Sequence, residues 1–107
     1  MLVTGVTIVR SDYLAENEEA VKQFIEDHQA SASYTQENPA DAAELVAAQG
    51  IVEKAAIAQK ALPYCNIVCL TGTEMKDALE GYLEVLFEQD PQSVGGNLPG
   101  EDFYYIP

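Results

Sequence analysis

The feature that most restricts the fold is a shortage of strand. Only "LVTGVTIV" at 2–9 and "NIVCL" at 66–70 read as β; the rest of the chain carries helical spacing or turn chemistry. Leu2, Val6 and Ile8 share one face of the first run with Thr4, while Val3 and Val9 share the other with Gly5 and Thr7. Apolar groups on both faces suit a strand covered from both sides. Gly5 in its middle marks a bend or a close approach by another group. Two strands make no independently stable sheet unless helices cover them or further strands join. The expected class is therefore α/β, dominated by helices, with about two strands and four to five helices. The 107 residues allow one domain at most.

The helices announce themselves by spacing and punctuation. Ser11 suits the N-cap of a short first turn, and Asn17 followed by Glu18 and Glu19 reads as a second start with acids at the positive end. Val21, Phe24, Ile25 and His28 follow the i, i+3, i+4, i+7 spacing of one buried stripe, which predicts a helix over 18–36. Asn38, Pro39 and Gly50 frame a helix over 39–49. The alanine-rich "IVEKAAIAQKAL" predicts another over 51–61, stopped by Pro63 and suited to close packing. Thr73 reads as the cap of a last helix over 73–89, with Met75, Ala78, Leu79, Tyr82, Leu83 and Leu86 on its apolar face. The expected core is Phe24, Ile25, Leu45, Val46, Ile67, Leu79 and Leu83. Residues 90–107 then carry turn chemistry before ending on Phe103, Tyr104, Tyr105 and Ile106. Exposed terminal aromatics are costly, so this tail should dock on protein.

Charge narrows the function. Eighteen Asp and Glu against five Lys and Arg leave a net charge of −13. Such a surface repels phosphate backbones and anionic headgroups, so nucleic acid is not an expected partner. The opening "MLVTGVTIVR" lacks the basic start of a signal peptide, and no apolar run reaches bilayer length. Cys65 and Cys69, four apart in a strand-like stretch, would lie too far apart for a disulfide and read as buried free thiols. With one histidine in the chain, no zinc site is expected, and no cofactor is implied.

Two places could present polar groups to a small ligand. Thr4 and Gly5 interrupt the first strand, where a bare backbone could face a solute. Thr71, Gly72 and Thr73 lie where a strand passes into a helix, so amides and hydroxyls converge. A strand bend and an ordinary helix cap are the plainer explanations of the same residues. His28, on the apolar stripe, reads as a core-edge histidine, and no Ser or Cys has His and Asp partners at a recognisable spacing. The expectation is no catalytic residue.

The ordered strings "VTGVTIVRSDYLAENEEAVKQFIEDHQASASYTQENPADAAELV" and "NIVCLTGTEMKDALEGYLEVLFEQDPQSVGGNLPGEDFYY" resemble the C-terminal portion of substrate-binding proteins of ATP-binding-cassette importers. The similar group is the nitrate, sulfonate, taurine and thiamine-precursor type, and Glu37, Asn38, Pro39, Ala42, Ala43, Glu44 and Leu45 match its helix start. The resemblance implies a partial periplasmic-binding-protein-like lobe, with 90–107 as a wrapping tail. It also implies non-catalytic capture of a small anionic or heterocyclic solute, and contact with importer membrane subunits. Full-length relatives are extracytoplasmic lipoproteins with two lobes, and 107 residues supply only one. Two rivals stand beside this reading. One is an interaction module that self-associates, by edge pairing near 2–9 or exchange of 94–107, against the repulsion of its charge. The other is an enzyme like the precursor synthases of the same group, which use a reactive histidine and cysteines.

Overall fold

The structure is a computed structural model describing residues 1–107. It contains five α-helices and three short 3-10 turns, and no strand. The expected α/β class, and with it the partial lobe with about two strands, is thereby corrected to an all-helical one. The physical reason is visible at both runs. Residues 2–9 lie in no helix, strand or turn and their backbone groups make no hydrogen bond, and a strand exists only through a partner ladder. At 66–70, Asn66 takes a left-handed φ of 52°, and the carbonyl of Ile67 accepts from the side chain of Gln36 instead of from a neighbouring strand. Within this chain neither run has a sheet to join.

The chain divides into two compact units, Met1–Glu18 with Leu70–Pro107, and Glu19–Cys69. In the first, α1 runs Ser11–Glu16 and α5 runs Gly72–Gln89. Arg10, in extended conformation, is the N-cap of α1, and Ser11 is its first helical residue. Asn17 ends α1 by turning its backbone and side-chain N–H groups onto the Tyr13 carbonyl. Thr71, two residues earlier than expected, is the N-cap of α5 in extended geometry. After α5, Asp90 opens the 3-10 turn Pro91–Val94 by accepting from the Gln92 amide, and the Ser93 hydroxyl donates to the Leu86 carbonyl. Gly95 and Gly96, with φ of 80° and 95°, complete the reversal, which only glycine adopts without strain.

In the second unit, α2 spans Glu18–Glu37 apart from its first residue, α3 spans Pro39–Ala48 and α4 spans Ala55–Ala61. Pro39 takes the first position of α3, where its missing N–H costs nothing. Gly50 in left-handed conformation closes α3, with the Gly50 amide on the Ala47 carbonyl and the Ile51 amide on the Val46 carbonyl. That closure corrects the expected helix over 51–61: Ile51 is spent in the cap, so the next helix begins only at Ala55, after Lys54 as its N-cap. α3 packs against α4, and the buried residues there are small: Ala42, Ala43 and Ala58. Alanine lets two helices approach closely but contributes little apolar area.

The core differs from the expected one. The buried residues are Val21, Ala32, Ala42, Ala43, Ala58 and Tyr104, and no large side chain falls below 2 % exposure. Ile25, Val46, Ile67, Leu79 and Leu83 are only half-buried, while Phe24 at 49 % and Leu45 at 57 % are exposed. Apolar spacing marks a helix face, but burial needs an opposing layer. The stripe of α2 and the broad face of α5 have one only in part.

Candidate functional site

The five residues singled out as a possible ligand site fall on two different kinds of backbone. Thr4 and Gly5 lie in the segment before α1 that has no regular structure, both exposed, and a Cβ on Gly5 would meet nothing within 4 Å. No close approach therefore requires a glycine there. Thr71 and Gly72 are half-buried at the start of α5, where Gly72 has a φ of 60°, and Thr73 is exposed on its first turn. Gly72 is thus the conformational reason for this stretch: the chain enters α5 through a left-handed residue. Thr71 to Thr73 thus form a helix start, and Thr4 and Gly5 lie in an exposed segment outside any helix or strand.

His28 is exposed, not core-edge, with its ring tilted against that of Phe24 at 5.5 Å. The cysteines are free; Cys69 is half-buried, but Cys65 is exposed, its thiol donating to the Ala61 carbonyl at 3.3 Å. The buried pair expected from a strand is therefore corrected at Cys65, which follows a 3-10 turn at Leu62–Tyr64. No group of three or more His, Cys, Asp or Glu side chains could hold a metal ion. No helix is long and apolar enough to cross a membrane.

One concavity lies in the second unit. An open groove of about 360 Å³ runs between Thr35, Gln36 and Pro39 on one side and Leu62, Pro63 and Asn66–Val68 on the other. The Gln36 amide bridges it by donating to the Ile67 carbonyl. Its walls hold no ionisable side chain, which suits an apolar or neutral contact more than charge-directed chemistry.

The most structured polar cluster joins α5 to the tail. Lys76 Nζ lies 2.8 Å from Glu101 and 3.8 Å from Glu80, and 6.0 Å from the centre of the Tyr104 ring. Tyr104 is 7 % exposed, and Phe103 meets it edge-on at 5.2 Å. The hydroxyl of Tyr105 donates to Glu18 at 3.4 Å. The hydrogen bond to Glu101 is the main cause holding the Lys76 ammonium above its ordinary value; desolvation works the other way. Desolvation pushes the Tyr104 phenol up, helped by Glu80 and opposed by Lys76. Both shifts favour the protonated forms, an ammonium on Lys76 and a neutral phenol on Tyr104. The sequence carried a signal for it: Lys76 is the only Lys or Arg after residue 60, amid an excess of acids.

No known protein family, curated protein or solved structure matches the chain.

Proposed function

We infer that this chain belongs to the solute-capture side of an ATP-binding-cassette importer, as the helical C-terminal portion of a substrate-binding protein, without catalytic activity. The observation that supports the reading is the helical punctuation within the strings that carry the resemblance. Asn38 and Pro39 open α3 where those strings place a helix start, and α5 gives way to a turn-rich tail that ends on a docked aromatic. The cleft of such a protein needs a second wall, and the chain builds no sheet from which to hang one. Solute capture then requires residues supplied by another polypeptide segment. Thr4, Gly5 and Thr71–Thr73 are the positions offered to the solute, as backbone and hydroxyl donors to a small anionic or heterocyclic molecule.

Titration calorimetry with taurine, nitrate, an alkanesulfonate and an aminopyrimidine tests this. The chain alone should bind each more weakly than about 1 mM. Joined to the coding sequence that adjoins it in its genome, it should bind one of them about a thousandfold more tightly. An adjoining sequence with no α/β lobe, or a joined product that binds none of the four, overturns the reading.

A second reading, an interaction module, has its own support. Leu2 and Ile8 in the first unit and Ile51 and Tyr64 in the second are 72–84 % exposed, apolar surface that a partner could cover. Sedimentation equilibrium over a salt series separates self-assembly from it: a monomer at every ionic strength counts against association of the chain with its copy.

A further inference from the structure

The tail of the first unit is seated by side chains, and the way Lys76 is shared gives that seat a second state. We propose that residues 101–106 form a strap that lifts from α5 as a unit, with Lys76 as a latch that passes from Glu101 to Glu80 when the strap opens. This rests on the contacts of the tail and not on the solute-capture reading.

The backbone of the segment sets the condition. Phe103 and Tyr104 donate their amide hydrogens to the carbonyls of Gly100 and Glu101, inside the segment itself. The 3-10 turn Glu101–Phe103 is three residues long, and a single turn fixes several dihedrals for few bonds, so it holds only while something supports it. The support comes from side chains: Glu101 on Lys76 at 2.8 Å, the buried ring of Tyr104, and the Tyr105 hydroxyl on Glu18. Upstream, Gly95 and Gly96 reverse the chain in left-handed conformation, and residues 97–100 form no helix or strand. A short connection of this kind absorbs the backbone rotation that lifting requires.

The latch follows from which carboxylates surround Lys76. Glu101 belongs to the strap, whereas Glu80 lies one turn further along α5, with its carboxylate 3.8 Å from Nζ. The side chain of Lys76 is 19 % exposed and that of Glu101 is 83 % exposed. A covered ammonium left with no partner would oppose opening, but Glu80, four residues on, keeps Lys76 paired after Glu101 departs. Glu101 is already mostly in water and gives up little when it returns there. The cost of lifting is therefore concentrated in the Tyr104 ring, while α5 retains its own backbone bonds. Segments held by so few contacts open locally before the helices that carry them. The strap thus governs access to the one Lys or Arg of α5.

Hydrogen exchange of the full chain, followed residue by residue by nuclear magnetic resonance, tests the proposal. Phe103, Tyr104 and Tyr105 should share one opening and be protected roughly tenfold or more below Leu79–Leu83 of α5. Glu101→Gln should raise the opening of the strap by about two- to fivefold, and Glu80→Gln should lower it by a similar factor, the range of an exposed ion pair. The opposite signs distinguish a shared latch from two independent supports, whose removal would loosen the strap in both variants. Strap and α5 amides that open together, a Glu101→Gln variant that leaves the strap unchanged, or a Glu80→Gln variant that loosens it or leaves it unchanged would each overturn the proposal.

Discussion

The two ends of the first unit are made of similar material and have opposite fates. Residues 2–9 and residues 101–106 are both short, rich in apolar side chains and outside any α-helix. The C-terminal segment has a place to go: Tyr104 is buried, Glu101 meets Lys76 of α5, and Tyr105 reaches Glu18. The N-terminal segment has none, and Ile8 stands 84 % exposed. What separates them is polar satisfaction as much as hydrophobicity. The tail enters a 3-10 turn at Glu101–Phe103 that satisfies some of its own backbone, so one aromatic anchor and a few polar contacts suffice to seat it. The N-terminal segment makes no such internal bond and leaves its exposed backbone to water.

The largest expected effect tests the anchored end. Tyr104→Ala removes the only large buried side chain and should destabilise the chain by an amount near the lower end of roughly 3–5 kcal/mol, read from the urea midpoint. A shift within about 0.5 kcal/mol would mean that the tail is not seated through this ring. Phe103, 58 % exposed but edge-on to Tyr104, should matter less. Phe103→Ala is expected to cost about 0.5–1.5 kcal/mol, the range of an aromatic pair, and a loss equal to that of Tyr104→Ala would break the assignment of a single anchor.

A gentler effect comes from the ionisable clasp. Lys76 and Tyr104 both titrate above their ordinary values of 10.5 and 10.0 in the folded chain. A raised folded pKa means that the protonated forms, the ammonium and the neutral phenol, are favoured by folding. Their contribution is complete below the ordinary values and is lost as pH rises through the raised ones. Tail protection, followed by hydrogen exchange at residues 101–106, should therefore be flat through neutrality and fall in the alkaline range above about pH 10. Glu101→Gln should remove the main cause of the lysine shift and bring the loss to lower pH. An unchanged alkaline profile in that variant would show that the ion pair does not hold the tail. The smallest effect is expected at the opposite end. Leu2→Ser and Ile8→Ser should change the stability of the isolated chain by no more than about 0.5 kcal/mol, since neither side chain is covered. A clear loss in either would erase the contrast between the two ends.

The reading of helix order and punctuation from the residues agrees with the structure, and the reading of a sheet does not. That division follows from what each kind of residue does. Asn38–Pro39, Gly50, Asp90–Pro91 and Gly95–Gly96 act on the backbone within a few residues, so helices α2, α3 and α5 and the reversal after them were legible in the string. The same local rule misplaced the start of α4, because Ile51 looked like a first helical residue when it was the last element of the preceding cap. The candidate site was legible only as positions. Thr71 to Thr73 do lie at a helix start, but no spacing in the sequence tells whether such a start faces a ligand, and the clasp of Lys76 with Glu101 joins residues 25 apart.

By itself, then, the sequence determined the helices, most of their ends, the turns of the tail and the excess of negative charge, since each arises from interactions over a few residues or from simple addition of charges. Only the tertiary structure decided the rest. It left the two β-rich runs without strands, because a strand is a relation to a second backbone that no part of this chain provides. It also chose alanines and Tyr104 for burial over Phe24 and Leu45, because burial depends on what stands opposite, and a helix stripe does not specify its own covering layer.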